Sequence, residues 1–301
     1  MKQEGASISI ETPAKINLTL EVLGKRPDGY HALRSVVMPV SLTDTVTVTT
    51  TSTEISLAVT AEPWIDLSLM GPPEKNLCFR AVHLLQARYR VEAGAQIHIH
   101  KRIPVGGGMG GGSADAAAVI RGLNDLWELT LSRGEMMELG AELGSDIPAL
   151  VHGGAVLMEG RGEFITGLFQ GLSEETCRGF WLVVANPGIP CSTAEVFKNW
   201  KAGLTPPPHF LHNMLSFVRT GQVDAVADVL YNGLQEGVFE RYPLVAQAAQ
   251  QLKAAGCFGV LLSGSGSSVF GLVRDEAHGQ EVCRSLDESL WHILVRTCPV
   301  V

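Results

Sequence analysis

With 301 residues, 46% of them hydrophobic and 18% charged, the chain can bury one large core or two and carries no polar tract of the kind that stays disordered. Its formal charge of −8 excludes a protein that coats nucleic acid or an anionic membrane by long-range attraction, so an anionic ligand needs a local basic pocket. No apolar run approaches the ~18 residues that span a bilayer and the mixed opening MKQEGASISIE lacks a signal-peptide pattern, so a cytoplasmic location with no membrane partner is expected.

In chain order, Ala14, Ile16, Leu18, Leu20 and Val22 alternate with Lys15, Asn17, Thr19 and Glu21, which predicts a strand with one polar face. Arg26-Pro27-Asp28-Gly29 is a turn signal, after which Tyr30 and His31 open an extended segment, and 44–51 and 55–60 continue in β-rich composition. A helix is predicted over 76–90 and a strand over 95–101, stopped by Pro104. Ala116, Val119, Ile120, Leu123 and Trp127 then recur at helical spacing. The capping-box pair Ser132 and Glu135 opens a further helix through Met136, Leu139 and Leu143 to Gly144.

Beyond residue 180 the order changes to a strand over 181–185, several helices across 193–254, a hairpin across 259–273, a helix over 275–290 and a strand over 292–298. This is a βαββαβ plan with extra helices. The sheet-heavy first half and the complete plan of the second predict two α+β domains, 1–165 and 166–301.

Pro104, Val105, Gly106, Gly107, Gly108, Met109, Gly110, Gly111, Gly112, Ser113 and Ala114 form a loop with six glycines in seven positions, directly before a helix. Such a loop lets N–H groups converge on an anion at a helix N-terminus, so phosphate is the expected guest. It is not a Walker loop, because no Lys-Ser or Lys-Thr follows the last glycine. Gly106, Gly108 and Gly111 spell a dinucleotide fingerprint, but a capped helix stands where a βαβ unit requires a strand. Ser113 reads either as the cap of the next helix or as a hydroxyl able to reach a Mg²⁺ held by phosphates.

Phosphoryl transfer further needs a group that handles the acceptor proton and a cation that offsets developing charge. Asp146 is a candidate base or the cap of a short turn begun by Pro148; Lys15 is a candidate cation or a solvated charge. No metal site made by protein side chains is expected, since His98 and His100 share a strand face without a third ligand. The six cysteines, Cys78, Cys177, Cys191, Cys257, Cys283 and Cys298, form no CxxC pair and read as reduced thiols.

Pro13-Ala-Lys-Ile-Asn-Leu18, Pro27-Asp-Gly-Tyr-His31, the glycine loop, Gly144-Ser-Asp-Ile-Pro148 and Leu262-Ser-Gly-Ser-Gly-Ser-Ser268 together resemble the GHMP kinase superfamily, in its motif order. The resemblance implies an N-terminal ribosomal-protein-S5-like domain and a C-terminal ferredoxin-like domain with the active site between them. It also implies Asp146 as general base, Lys15 as its cationic partner, and ATP with Mg²⁺ as cofactors. Asn76 and Lys101 match positions near the nucleotide, although Lys101 also reads as a strand-end charge. The PDGYH element resembles the branch whose acceptor is a cytidine diphosphate sugar alcohol, phosphorylated on the 2-hydroxyl of its methylerythritol moiety.

On that resemblance Tyr30 and Phe197 stack on the cytosine, His31 bonds its edge, and Asn17 touches the substrate; Tyr30 and Phe197 also read as core aromatics. Ser265 and Gly266 read as a tight hairpin or as an amide clamp on phosphate. Met109 and Ala114 depart from the family, where Leu and Ser are more frequent. A kinase of mevalonate, homoserine or a sugar, and a non-catalytic nucleotide-binding protein, are the competing expectations.

Overall fold

Strands β1 (Ser7–Asn17) and β2 (Thr19–Lys25) follow one another along the same edge of β3 (His31–Thr51), parted only at Leu18, whose N–H still reaches Val36 O at 2.9 Å. The computed structural model describes residues 4–169, 179–202 and 210–299; Cys177 lies outside them. The two short strands carry the alternation anticipated over 14–22, but their polar face is not solvated: Lys15, Asn17, Thr19 and Glu21 are all buried.

At 21 residues, β3 is long enough to serve two sets of partners. Its first part pairs with β2 and, on the other edge, with β6 (Val156–Gly160); its second part pairs with β1 and β5 (Gly94–Lys101). Strand β4 (Ile55–Ala61) adds parallel to β5, and β7 (Phe164–Gly167) adds to β6. Helices α1 (Leu77–Tyr89), α2 (Gly111–Leu126), α3 (Arg133–Leu143) and α4 (Ile147–His152) cover one face, where Val46, Val48, Ile97 and Ile99 pack with Leu85, Val119, Ile120 and Leu123. Asn76 caps α1 by accepting from Cys78 N at 2.8 Å, and Ser132 and Glu135 close the capping box of α3 in both directions.

The second sheet runs β10 (Phe258–Leu262), β11 (Val269–Leu272), β8 (Trp181–Asn186), β12 (Trp291–Arg296), every pair antiparallel. Helices α5 (Thr193–Lys198), α6 (Phe210–Thr220), α7 (Val223–Asp228), α8 (Gln235–Arg241) and α9 (Pro243–Ala254) lie in sequence between its first two strands, and α10 (Glu276–Ser285) between its last two. The helix anticipated over 275–290 stops at Ser285, because Leu286 turns extended and the Asp287 side chain takes Ser289 N into a local turn.

The two sheets are not separate bodies. Ile16, Leu18, Val36 and Met38 from the first share a core with Phe180, Leu182, Val184 and Phe270 from the second. Each such side chain contributes about 1.5–3 kcal/mol when withdrawn from water, so this seam is as strong as a domain interior. Strand β9 (Tyr231–Asn232) leaves the second lobe to pair parallel with β2, and the segment after β12 returns to the first, bridging Val40 at Thr297. Among the described residues no helix is long and apolar enough to cross a membrane.

Candidate active site

Between the lobes lies a cleft of about 1270 Å³, and the glycine loop forms its floor. Gly106, Gly108 and Gly110 have φ of 69°, 74° and 71°, a region costly to side-chain-bearing residues. At Gly108 space adds to conformation, since a Cβ there would stand 2.2 Å from Ser263 O. The loop carbonyls turn into the protein: Gly107 O accepts from Ser268 N at 2.9 Å, Met109 O from Lys15 N at 2.9 Å, and Gly108 O from Lys15 Nζ at 3.0 Å and Ser263 Oγ at 3.1 Å. The N–H groups of Gly111, Gly112 and Ser113 are the first of α2 and have no carbonyl within the helix to bond. Donors therefore gather on the cleft side and acceptors behind, the polarity an anion requires.

Ser113 does not cap α2. The N-cap is Gly110, and Ser113 sits half-buried inside the first turn. Ala114 and Gly266, both expected at the ligand, fall behind the wall. One helical step past Ser113, Ala114 is buried with its carbonyl accepting from Thr12 Oγ1 at 2.9 Å, and Gly266 N donates to Ser263 O at 2.9 Å. The remaining predicted residues, Lys15, Asn17, Tyr30, His31, Asn76, Lys101, 104–113, Asp146, Phe197 and Ser265, all line the cleft.

Asp146 stands at the N-terminus of α4, yet its side chain makes no cap bond; Oδ2 instead meets Lys15 Nζ at 3.3 Å. The carboxylate side chain is 30% exposed, toward the cleft, while the lysine is 4% exposed. Lys15 Nζ also donates to Asn17 Oδ1 at 2.8 Å, and Asn17 Nδ2 donates to Ser35 Oγ at 2.8 Å. Asn17 thus spends both ends of its amide on the protein and serves the site by holding Lys15.

Lys101, which the family resemblance places near the nucleotide, lines the cleft with its ammonium turned to buried carboxylates. It is 2% exposed and its ammonium lies between Asp44 and Asp115, with Asp115 Oδ2 at 2.8 Å, directly beneath the start of α2. Burial works against its charge, but Asp115 and Asp44 together outweigh that and raise its pKa. Burial pushes the Asp115 carboxyl up to about 7, opposed by Lys101 and aided by Asp44. With its ammonium held by two carboxylates, Lys101 supports the loop from below.

At the other end of the cleft, His31 stacks on Phe197 with ring centroids 5.4 Å apart and meets Trp200 edge-on at 5.6 Å. Tyr30 does not face Phe197. Adjacent residues entering β3 project to opposite sides, and the Tyr30 ring, 52% exposed, lies under the Arg161 guanidinium at 5.3 Å. Burial, with Lys25 nearby, lowers the pKa of His31, so its ring is neutral near pH 7 with one donor and one acceptor nitrogen. Ser265 Oγ pairs with Thr193 Oγ1 at 2.9 Å on the adjoining wall. Trp200, Arg161 and Thr193 also line the cleft without having been anticipated, as does Gly264, which lies within the Leu262–Ser268 motif but was not singled out. Among the described residues no cluster of three or more metal-ligating side chains occurs.

Residues 76–154 match the GHMP kinases N terminal domain and residues 214–291 the GHMP kinases C terminal family, so this two-lobed cleft is that of a GHMP small-molecule kinase. The chain is 39% identical over 281 residues to a 4-diphosphocytidyl-2-C-methyl-D-erythritol kinase of Brevibacillus brevis, covering 93% of this chain and 92% of the relative. It is 41% identical over 280 residues to the corresponding kinase of Bacillus licheniformis, covering 92% and 91%. A crystal structure of 4-(cytidine 5'-diphospho)-2C-methyl-D-erythritol kinase superposes with a TM-score of 0.75 at 28% identity, covering 96% of this chain and 99% of that one. The chain belongs to the 4-diphosphocytidyl-2-C-methyl-D-erythritol kinase family.

Replacing Lys101 with Met leaves Asp44 and Asp115 buried without their cation, and a loss of about 3–5 kcal/mol in unfolding free energy is expected from urea titration. A loss under 1 kcal/mol would remove the support role from Lys101.

Proposed function

We propose that this kinase transfers the γ-phosphoryl group of ATP to the 2-hydroxyl of 4-diphosphocytidyl-2-C-methyl-D-erythritol, a step in non-mevalonate isoprenoid precursor synthesis. The observation that carries the chemistry is the Lys15–Asp146 pair at 3.3 Å, set against the same Gly108 carbonyl that anchors the phosphate loop. In this assignment Asp146 accepts the hydroxyl proton, and Lys15 offsets the negative charge that grows as the hydroxyl becomes an alkoxide. The N–H groups from Gly106 to Ser113 receive phosphate oxygens, and Asn76, at the start of α1, borders the nucleotide.

The cytosine occupies the aromatic end built from Tyr30, His31, Phe197 and Trp200, where stacking is worth about 1–3 kcal/mol on comparable platforms. Ser265, beside Gly264, faces the acceptor's phosphates. Mg²⁺ fits a site whose protein donors are few, since the Ser113 hydroxyl on the cleft wall offers one hard oxygen and the nucleotide phosphates supply others. Bound there, the ion would neutralise phosphate charge.

The strand order β10-β11-β8-β12 with its βαββαβ connectivity supports a ferredoxin-like C-terminal domain, 166–301, and the remaining sheet an S5-like N-terminal domain, 1–165. The boundary falls within β7, all of which pairs with β6 of the first sheet, and β9 crosses the seam to pair with β2. Use of ATP, together with free thiols at Cys78, Cys191, Cys257, Cys283 and Cys298, supports a cytoplasmic location.

The deciding experiment is a coupled ADP-release assay with Mg-ATP and, in parallel, the cytidine diphosphate methylerythritol, mevalonate and homoserine; turnover of the first alone is expected, and turnover of another acceptor would overturn the assignment. Asp146→Asn is expected to keep ATP affinity while kcat falls by a factor on the order of 10² or more, so near-normal turnover would discard the base. His31→Ala is expected to raise KM for the cytidine acceptor at least about tenfold and leave KM for ATP within about twofold. Because the folded His31 pKa is depressed, acceptor KM in the parent should stay flat down to about pH 6.5 and rise only below it.

A further inference from the structure

The turn between β10 and β11 enters the site at two points although its Ser-Gly-Ser-Gly sequence has little means of fixing its own shape. Ser263 Oγ shares the Gly108 carbonyl with Lys15 Nζ, and Gly264 lies so close to the catalytic pair that a Cβ on it would stand 3.2 Å from Lys15 Nζ and 3.3 Å from Asn17 Oδ1. Beyond its internal bonds, Ser263 N to Ser268 O and Gly266 N to Ser263 O at 2.9 Å each, the turn is held from outside by Asn232, which is 6% exposed in β9. Asn232 Nδ2 donates to Leu262 O at 2.9 Å and to Gly264 O at 2.8 Å, while Oδ1 accepts from Leu234 N at 2.9 Å. The main chain around it is tied to β2, with Tyr231 N on Leu18 O at 3.3 Å and Gly233 N on Leu20 O at 2.8 Å.

We infer that Asn232 is a positioning residue for phosphoryl transfer, fixing the 262–264 turn of one lobe at a set distance from Lys15 and Gly108 of the other. Both amide protons are needed, one for each carbonyl that flanks Ser263. An aspartate has the same size but sets an oxygen where a donor belongs, leaving two buried carbonyls unsatisfied. Misplacement of a reacting group by about 1 Å can cost about 10²-fold in rate without weakening ground-state binding, so the effect belongs in kcat. The inference rests on the proposed reaction only for its assay.

The test compares the full-length parent with Asn232→Asp, Ser263→Ala and the double variant, measuring kcat and both KM values by ADP release and stability by urea titration. Asn232→Asp is expected to lose about 10–100-fold in kcat with both KM values within about threefold. The double variant should lose less than the product of the single losses, because both act on one turn. A folded Asn232→Asp with kcat within about twofold of the parent, a loss confined to KM, or strictly multiplicative losses would each overturn the inference. If Asn232→Asp does not fold, Asn232→Ser, which keeps one donor, and Ser263→Ala decide by the same split between kcat and KM. A parent that ignores the cytidine acceptor defeats the proposed reaction instead, and the variants are then compared with whichever acceptor, water included, the parent uses.

Discussion

The Lys15 ammonium donates to Asn17 Oδ1 and to Gly108 O and forms an ion pair, at 3.3 Å, with the carboxylate of Asp146. Those three partners come from a strand, from the phosphate loop and from the start of a short helix, so one charge defines the relative placement of three elements. Burying it is costly unless every proton is paired, and the pairing is what makes the placement definite. The shape of the loop, the exposure of Asp146 and the inward turn of Asn17 all follow from satisfying that single group.

A second charge cluster underlies the first. The Asp44, Lys101 and Asp115 side chains lie sealed beneath the opening of α2, and their hydrogen bonds join the end of β5 to the middle of β3. A helix N-terminus offered to phosphate must stay where it is while negative charge arrives and leaves. The buried cluster gives it that footing with the charge of Lys101 already matched by two carboxylates.

Local patterns made much of this visible in the sequence. The glycine run abutting an amphipathic helix, the capping box at Ser132 and the βαββαβ order rest on residues close in the chain, where periodicity and turn chemistry act directly. Asp146 and Lys15 were visible as residue types, while their pairing came only from the family resemblance. The polar face of β1 and β2 is buried by elements distant in the chain, Lys15 and Asn17 by the glycine loop, Asp146 and the turn at Gly264, and Thr19 beside β9, and nothing near Lys15 in the sequence records their arrival. The family resemblance put Lys101 near the nucleotide, and the direction of its ammonium is set by Asp44, a residue distant in sequence, together with Asp115. Ala114 and Gly266 stand away from the cleft lining for a related reason: which side of a glycine loop faces a ligand depends on where its carbonyls find donors, and those donors, Thr12, Lys15, Ser263 and Ser268, are distant in the chain.

The long strand β3 carries the two ends of the reaction apart from each other. His31 opens it beside the aromatic wall, and Asp44 sits past its midpoint under the phosphate loop, with separate partner strands along each half. Substitutions near one end reach the other only through a rigid ladder of backbone bonds. Over evolutionary time such a layout lets acceptor choice be rewritten at the His31 end while nucleotide chemistry is inherited unchanged, so divergence within a lineage of these kinases should accumulate as changes in taste before changes in mechanism.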